Sequence, residues 1–306
     1  MAKILVGTCS WTDPSLVSSG WYPPGARDPE GRLRHYADRF PVVEVDATYY
    51  GLPSTRNSRL WAERTPEGFT FDVKAFAPLT GHAVRAGALP ADLRPAGPVQ
   101  RRLACAELPP GVTDELWERF TGALRPLRES GRLGSVLLQF PPWLRPGPRA
   151  HARLAACRER APALPLAVEF RHPAWLVPDE LPRTLEVLRA HRMALVAVDT
   201  ARTAGGAMPP TDDVTHPGLA VVRFHGRSEA WGTGSKEDRF RHRYTAAELT
   251  PWTERIRRLA QRAEEVHVLF NNCCADAAVD AAATMRDLLT GTADLADAVT
   301  LPGPAR

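Results

Sequence analysis

The residues of this chain best suited to chemistry are Glu44 and Asp46, Asp72 and Lys74, Glu169 with Arg171 and His172, Arg223 with His225, and Asn271. Most are spaced by two, and each group closes a short apolar stretch. Side chains two apart on a strand share a face. Each stretch therefore reads as a buried strand whose inward face turns polar at its C-terminal end. Gln139 closes Leu133–Gln139 in the same way, and Asp199 follows Ala194–Val198.

The chemistry implied is proton transfer beside a bound anion. Glu44 and Lys74 would sit on neighbouring strands, where an ammonium lowers a carboxylate's pKa and burial raises it. These two are expected to handle protons, with Glu169 and Arg171 orienting substrate and His225 as a further general acid or base. The expected catalytic set is Glu44, Lys74, Glu169 and His225. Expected ligand contacts are Asp46, Tyr50, Gln139, Arg171, His172, Trp175, Asp199, Arg223, Gly226, Asn271 and Asn272. Among them Arg223, His225 and Asn271 would hold the anion, and Gly226 would admit it close to the backbone. Trp175 would stack on a ring or cap the rim. Asp72 is expected in a charge network closing the top of the fold, and His267, deeper in its strand, as a buried hydrogen-bonded residue.

The elements needed to position these groups follow from the pattern. Strands at Ile4–Thr8, Val42–Val45, Phe69–Lys74, Leu133–Gln139, Leu166–Glu169, Ala194–Val198, Leu219–Phe224 and Val266–Phe270 alternate with amphipathic stretches. The helical stretches include Thr113–Ser130, Arg149–Arg160, Asp179–His191, Ala246–Arg262 and Asp276–Thr290. Eight such alternations predict one α/β domain over 1–306, a (β/α)₈ TIM barrel with long loops at its C-terminal face. Residues 78–112 would be an insertion or lid after strand three, and 300–306 a tail. A doubly wound open sheet is the alternative. In either architecture the strand C-termini carry the site, and in the barrel the corner of the last two strands is a frequent phosphate site.

Composition narrows the classes. The chain has 306 residues, 44% hydrophobic and 24% charged, and a net charge of +4. No apolar run approaches the ~20 residues of a membrane span, so a cytoplasmic protein without membrane partners is expected. Five cysteines in no framework spacing read as reduced thiols. Barrel closure would bring Cys9 towards Cys273. Only Lys3, Lys74 and Lys236 among 39 basic residues are lysines. A lysine kept amid arginines suggests a task for an ammonium that can lose its proton when buried. No cofactor is expected. A divalent metal on some of Glu44, Asp46, Glu169, His172, Asp199 and His225 is the alternative, opposed by the cations beside them. The expected partner is a small anionic or phosphorylated ligand, with nucleic acid as the alternative.

Longer segments carry a resemblance. Gly7-Thr8-Cys9-Ser10-Trp11, Val43-Glu44-Val45-Asp46-Ala47-Thr48-Tyr49-Tyr50, Trp61 through Phe69, Val168 through Trp175, Val222 through Arg227 and Phe270-Asn271-Asn272 resemble the YecE-like family, the domain of unknown function 72. The likeness runs over nearly the whole chain and implies a TIM barrel; it implies no particular reaction. The family commonly has Asn and Phe where this chain has Asp46 and Tyr49, so a role that needs a neutral amide at 46 is not implied. The functional expectations are an acid/base enzyme on an anionic ligand, a metal-dependent phosphodiesterase or nucleic-acid binder, or a non-catalytic ligand-binding barrel.

Overall fold

The computed structural model describes residues 2–201, 208–228, 238, 241–272 and 274–291. Ten strands follow in chain order: β1 (Lys3–Thr8), β2 (Val42–Val45), β3 (Thr70–Lys74), β4 (Val84–Arg85), β5 (Arg102–Leu103), β6 (Leu133–Gln139), β7 (Leu166–Glu169), β8 (Met193–Asp199), β9 (Leu219–Phe224) and β10 (Glu265–Phe270). Eight of them close a barrel in the order β1-β2-β3-β6-β7-β8-β9-β10, and every barrel pair is parallel. Because β1 pairs with both β2 and β10, the open-sheet alternative is excluded. Both faces of these strands are covered, which is why their sequences are apolar on both sides (buried throughout in β2, β7, β8 and β9).

Helices begin where short polar side chains can cap them. Asp28 accepts from the Gly31 amide at 2.6 Å, and Thr245 forms a reciprocal box with Glu248. The single helix expected over Thr113–Ser130 is two, Val112–Ala123 and Arg125–Glu129. Pro126 has no amide to give back to the preceding turn, so the chain bends at Leu124. No helix among the described residues is long and apolar enough to cross a membrane. Trp231, Lys236, Cys273 and the tail lie outside the described residues.

The insertion after β3 is folded rather than loose. It consists of short 3₁₀ turns and the antiparallel β4–β5 ribbon, with Leu79, Val84, Leu89 and Leu103 buried in the core. Arg94 ties it together by donating to the carbonyls of Ala86 and Leu89, each at 3.1 Å.

One polar cluster lies towards the N-terminal end of the barrel, and it corrects the expectation for Asp72. The Asp72 carboxylate faces His267 Nδ1 at 2.9 Å and accepts from Ser135 Oγ at 2.7 Å, so it belongs to the barrel floor and not to its top. The cause is depth: Asp72 sits two residues below Lys74 on the same face, level with the third residues of β6 and β10. A register shift between Phe71 and Asp72 presses Gly134 against this cluster. A Cβ at 134 would lie 2.3 Å from Thr70 Cγ2 and 2.8 Å from Asp72 Oδ1. Gly134→Ala is therefore expected to destabilise the protein by about 1–3 kcal/mol through overpacking. A denaturation midpoint indistinguishable from wild type would refute this account of the floor.

Candidate functional site

At the other end of the barrel, β1, β2, β3, β6, β7, β9 and β10 bring their last inward residues together. The centre is Arg223, which is fully buried and faces two fully buried glutamates. Its Nε and Nη2 donate to the two Glu44 carboxylate oxygens at 2.8 and 2.7 Å, and Nη1 donates to Glu169 Oε2. Nη2 also reaches Cys9 Sγ at 3.6 Å. This planar fork suits a bidentate carboxylate. Burial pushes the Glu44 carboxyl up against the pull of Arg223 and Lys74. Both of its oxygens accept from the guanidinium.

Glu169 is the hub. Its Oε1 accepts from Gln139 Nε2 at 2.7 Å and Arg171 Nη1 at 2.9 Å, and lies 3.0 Å from His225 Nε2. Burial opposes its charge, but Arg223, His225 and Arg171 outweigh it and hold the carboxyl well below the usual range. Asn271 Nδ2 lies 3.0 Å from His225 Nδ1, and Arg171 Nη1 lies 3.2 Å from its Nε2. Burial, with Arg171 and Arg223 against Glu169, lowers the imidazole to about 4. It is neutral at neutral pH and both ring nitrogens are engaged.

These contacts reassign three expected roles. Arg223 cannot contact a ligand, because it is enclosed and its donors serve Glu44, Glu169 and Cys9. Glu44 is committed to Arg223, and His225 holds Glu169 and Asn271 in place. All three support the mouth from beneath. The groups that face the opening are Lys74, Gln139, Arg171 and Asn271, all partly exposed.

Lys74 is the distinctive one. Its Nζ stands 4.6 Å from the centre of the Tyr49 ring, and no carboxylate lies within 4.0 Å of it among the described residues. Burial and the neighbouring Arg223 depress its pKa, against Glu44, Glu169 and Asp46. His82, from the insertion, packs its ring edge-on to Tyr49 at 5.3 Å. Its Nδ1 meets Thr80 Oγ1 at 2.9 Å, while Nε2 has no partner among the described residues. Burial, Lys74 and Arg171 lower it to about 4. The sequence marks Tyr49 as an aromatic of the post-strand rim, and it does not single out His82. Tyr49 was detectable, three residues after Asp46 in the post-strand loop. His82 was not, because nothing local says that residue 82 returns over the mouth.

Other expected contacts lie elsewhere. Asp199 is consumed in the wall: Arg227 donates to both its oxygens at 2.8 Å, Tyr244 OH at 2.7 Å and Trp252 Nε1 at 3.3 Å. Gly226 holds a φ of +88° and gives its amide to Tyr244 OH, so it shapes this wall instead of receiving an anion. Asn272 is fully buried and donates to the His242 carbonyl at 2.9 Å. Trp175 is enclosed, stacked on Phe170 at 4.0 Å with its N–H on the Leu144 carbonyl, so it seals the shell and offers no ring face. His172 caps the Ala174 amide. Tyr50 is 58% exposed, beside Tyr49 and outward of it. Asp46 remains at the edge of the mouth, close enough to act on both Glu44 and Lys74. Among the described residues no three His, Cys, Asp or Glu side chains converge as a metal site.

Fold and site together define an α/β-barrel protein with a polar, mixed-charge mouth at the strand C-termini. The chain belongs to the family described as "Protein of unknown function DUF72", whose model matches residues 5–305. It is 32% identical over 292 residues to the UPF0759 protein YunF of Bacillus subtilis (strain 168), covering 94% of each chain. It is similar in structure to a DUF72 family protein of Thermotoga maritima MSB8, with a TM-score of 0.75, 30% identity and coverage of 94% of this chain and 99% of that one. A DUF72 family protein of Enterococcus faecalis V583 matches with a TM-score of 0.74 and 25% identity, over 95% and 98% of the two chains.

Proposed function

We propose that the barrel mouth binds a small anionic, phosphorylated organic molecule and performs acid/base chemistry on it. The observation that carries this reading is Lys74: an amine at the floor of the mouth, its pKa depressed, with no carboxylate in ion-pair range among the described residues. Elsewhere in the mouth positive charge is balanced at close range. Lys74 is therefore the group with most to gain from an incoming anion, and Arg171 beside it supplies a second donor. An amine held below its ordinary pKa gives up its proton more readily than an ordinary lysine. The unengaged Nε2 of His82 faces the same opening as a second proton-carrying site. Glu44, Glu169, Arg223 and His225 fix the geometry beneath. The anion reading is favoured over a divalent cation because the Arg223 guanidinium already bridges the two buried glutamates.

Calorimetry with inorganic phosphate tests the binding part. Wild-type protein is expected to bind it saturably, and Lys74→Met or Arg171→Met to weaken binding about tenfold, ~1.4 kcal/mol. Equal affinity in all three proteins would show that the anion, if bound, is held elsewhere.

A further inference from the structure

A cavity of about 250 Å³ opens beside the mouth, between the loops that follow β1 and β2 and the helices Pro29–Ala37 and Thr55–Glu63. Leu33, Val45 and Leu60 give it aliphatic walls, and Trp11 and Trp61 give it aromatic ones. The two indoles meet edge to face, 5.9 Å apart and at 89°. They make a corner and not a slot. A flat base wants two parallel faces; a puckered ring with C–H faces fits a corner.

The polar residues in the lining are Ser10, Thr12, Asp46, Asn57 and Arg64. Ser10 Oγ accepts from the Thr12 amide at 3.1 Å, and its own proton goes to no acceptor among the described residues. Trp11 is 6% exposed overall, and its indole N–H, which has no acceptor among the described residues, is reachable by solvent. Both donors are therefore open to a ligand or to water. Asp46 adds a carboxylate, which accepts only. Hydroxyl, amide, guanidinium and carboxylate groups beside aliphatic and aromatic walls match a hydroxylated ring, whose hydroxyls both give and take hydrogen bonds.

The cavity shares a wall with the mouth. Ser10 directly follows Cys9, which touches Arg223, and Asp46 follows Glu44 by two residues while acting on Lys74. We propose that this cavity is the subsite for the ring of a phosphorylated sugar whose phosphate lies on Lys74 and Arg171. The inference rests on the anion reading of the mouth and adds the class of molecule.

Indole N–H resonances read the cavity directly, and calorimetry reads the mouth. The chain has eight tryptophans, and Trp11→Phe and Trp61→Phe assign the two that matter. Glucose 6-phosphate and ribose 5-phosphate are compared with inorganic phosphate and with glucose. At least one sugar phosphate is expected to shift the Trp11 and Trp61 signals and to bind ten times more tightly than phosphate. Ser10→Ala and Leu60→Phe should each erase that advantage while leaving phosphate binding intact, with thermal melts confirming the fold. If phosphate binds through Lys74 but the sugar phosphates gain nothing and the two indoles stay put, the ring subsite is wrong and the mouth reading stands. If the indoles respond to the sugars and Lys74→Met changes nothing, the mouth reading falls and, with it, the joint proposal. If no probe moves either signal, the cavity is not a sugar site.

Discussion

Arg223→Met is expected to cost about 3–5 kcal/mol of folding stability, the range for breaking a buried ion pair by removing one partner. The substitution conserves apolar volume but strands Glu44 and Glu169 in a water-free interior. Arg223 serves both glutamates and Cys9, so no neighbour replaces it. Glu169 retains Gln139 and Arg171 and suffers less; Glu44 loses both donors. The Glu44→Gln/Arg223→Met double variant should therefore recover part of the loss, because it removes the stranded charge. Arg223→Lys should cost less than Arg223→Met, since an ammonium keeps the positive charge but cannot fork to two carboxylates. Urea titrations measure all three. A loss below about 1 kcal/mol for Arg223→Met would mean that the triad is not the keystone described.

The floor of the barrel predicts a pH dependence of stability. His267 is buried between carboxylates: Asp72 lies on Nδ1 at 2.9 Å and Glu265 on Nε2 at 3.3 Å, with Lys3 3.7 Å beyond Glu265. Burial works against the imidazolium, but Asp72 and Glu265 outweigh it and raise the group to about 9. A folded pKa above the unfolded ~6.5 means stability that is fully present below pH ~6.5 and lost as pH rises through 9, in all on the order of 3 kcal/mol. His225 has the reverse sign. Lowered to about 4, it contributes stability present above pH ~6.5 and lost as pH falls through 4. Stability should therefore peak near pH 6.5 and decline on both sides. Asp72→Asn/His267→Gln should flatten the alkaline limb and leave the acid one. An alkaline limb unchanged in that variant would refute the assignment.

The barrel was legible because period two is a strong signal when strands end in charge. Glu44, Lys74, Glu169 and Arg223 sit on one face for the reason their spacing gives, and closure of the sheet brings them together. Depth was not legible. Period two says which face a side chain takes and not how far down the barrel it lies, so Asp72 was expected at the mouth and lies in the floor. Nor does spacing reveal who satisfies whom: Arg223 reads as a ligand contact until Glu44 and Glu169 are seen to use its donors. Trp175 and Asp199 failed for a related reason, since one follows β7 and the other closes β8, and both turn into the shell between barrel and helices. His82 was out of reach, because the insertion's path over the mouth depends on long-range contacts such as Cys105 Sγ to the His82 carbonyl at 3.3 Å.

The central claim is that Lys74 is a cation awaiting an anion, and its amine can be titrated directly. With only three lysines in the chain, pH-dependent competitive acylation followed by mass spectrometry isolates it. Lys74 should titrate below the ~10.4 of an ordinary lysine, and saturating inorganic phosphate should move it upward and protect it. An ordinary titration that phosphate leaves unchanged would contradict the account.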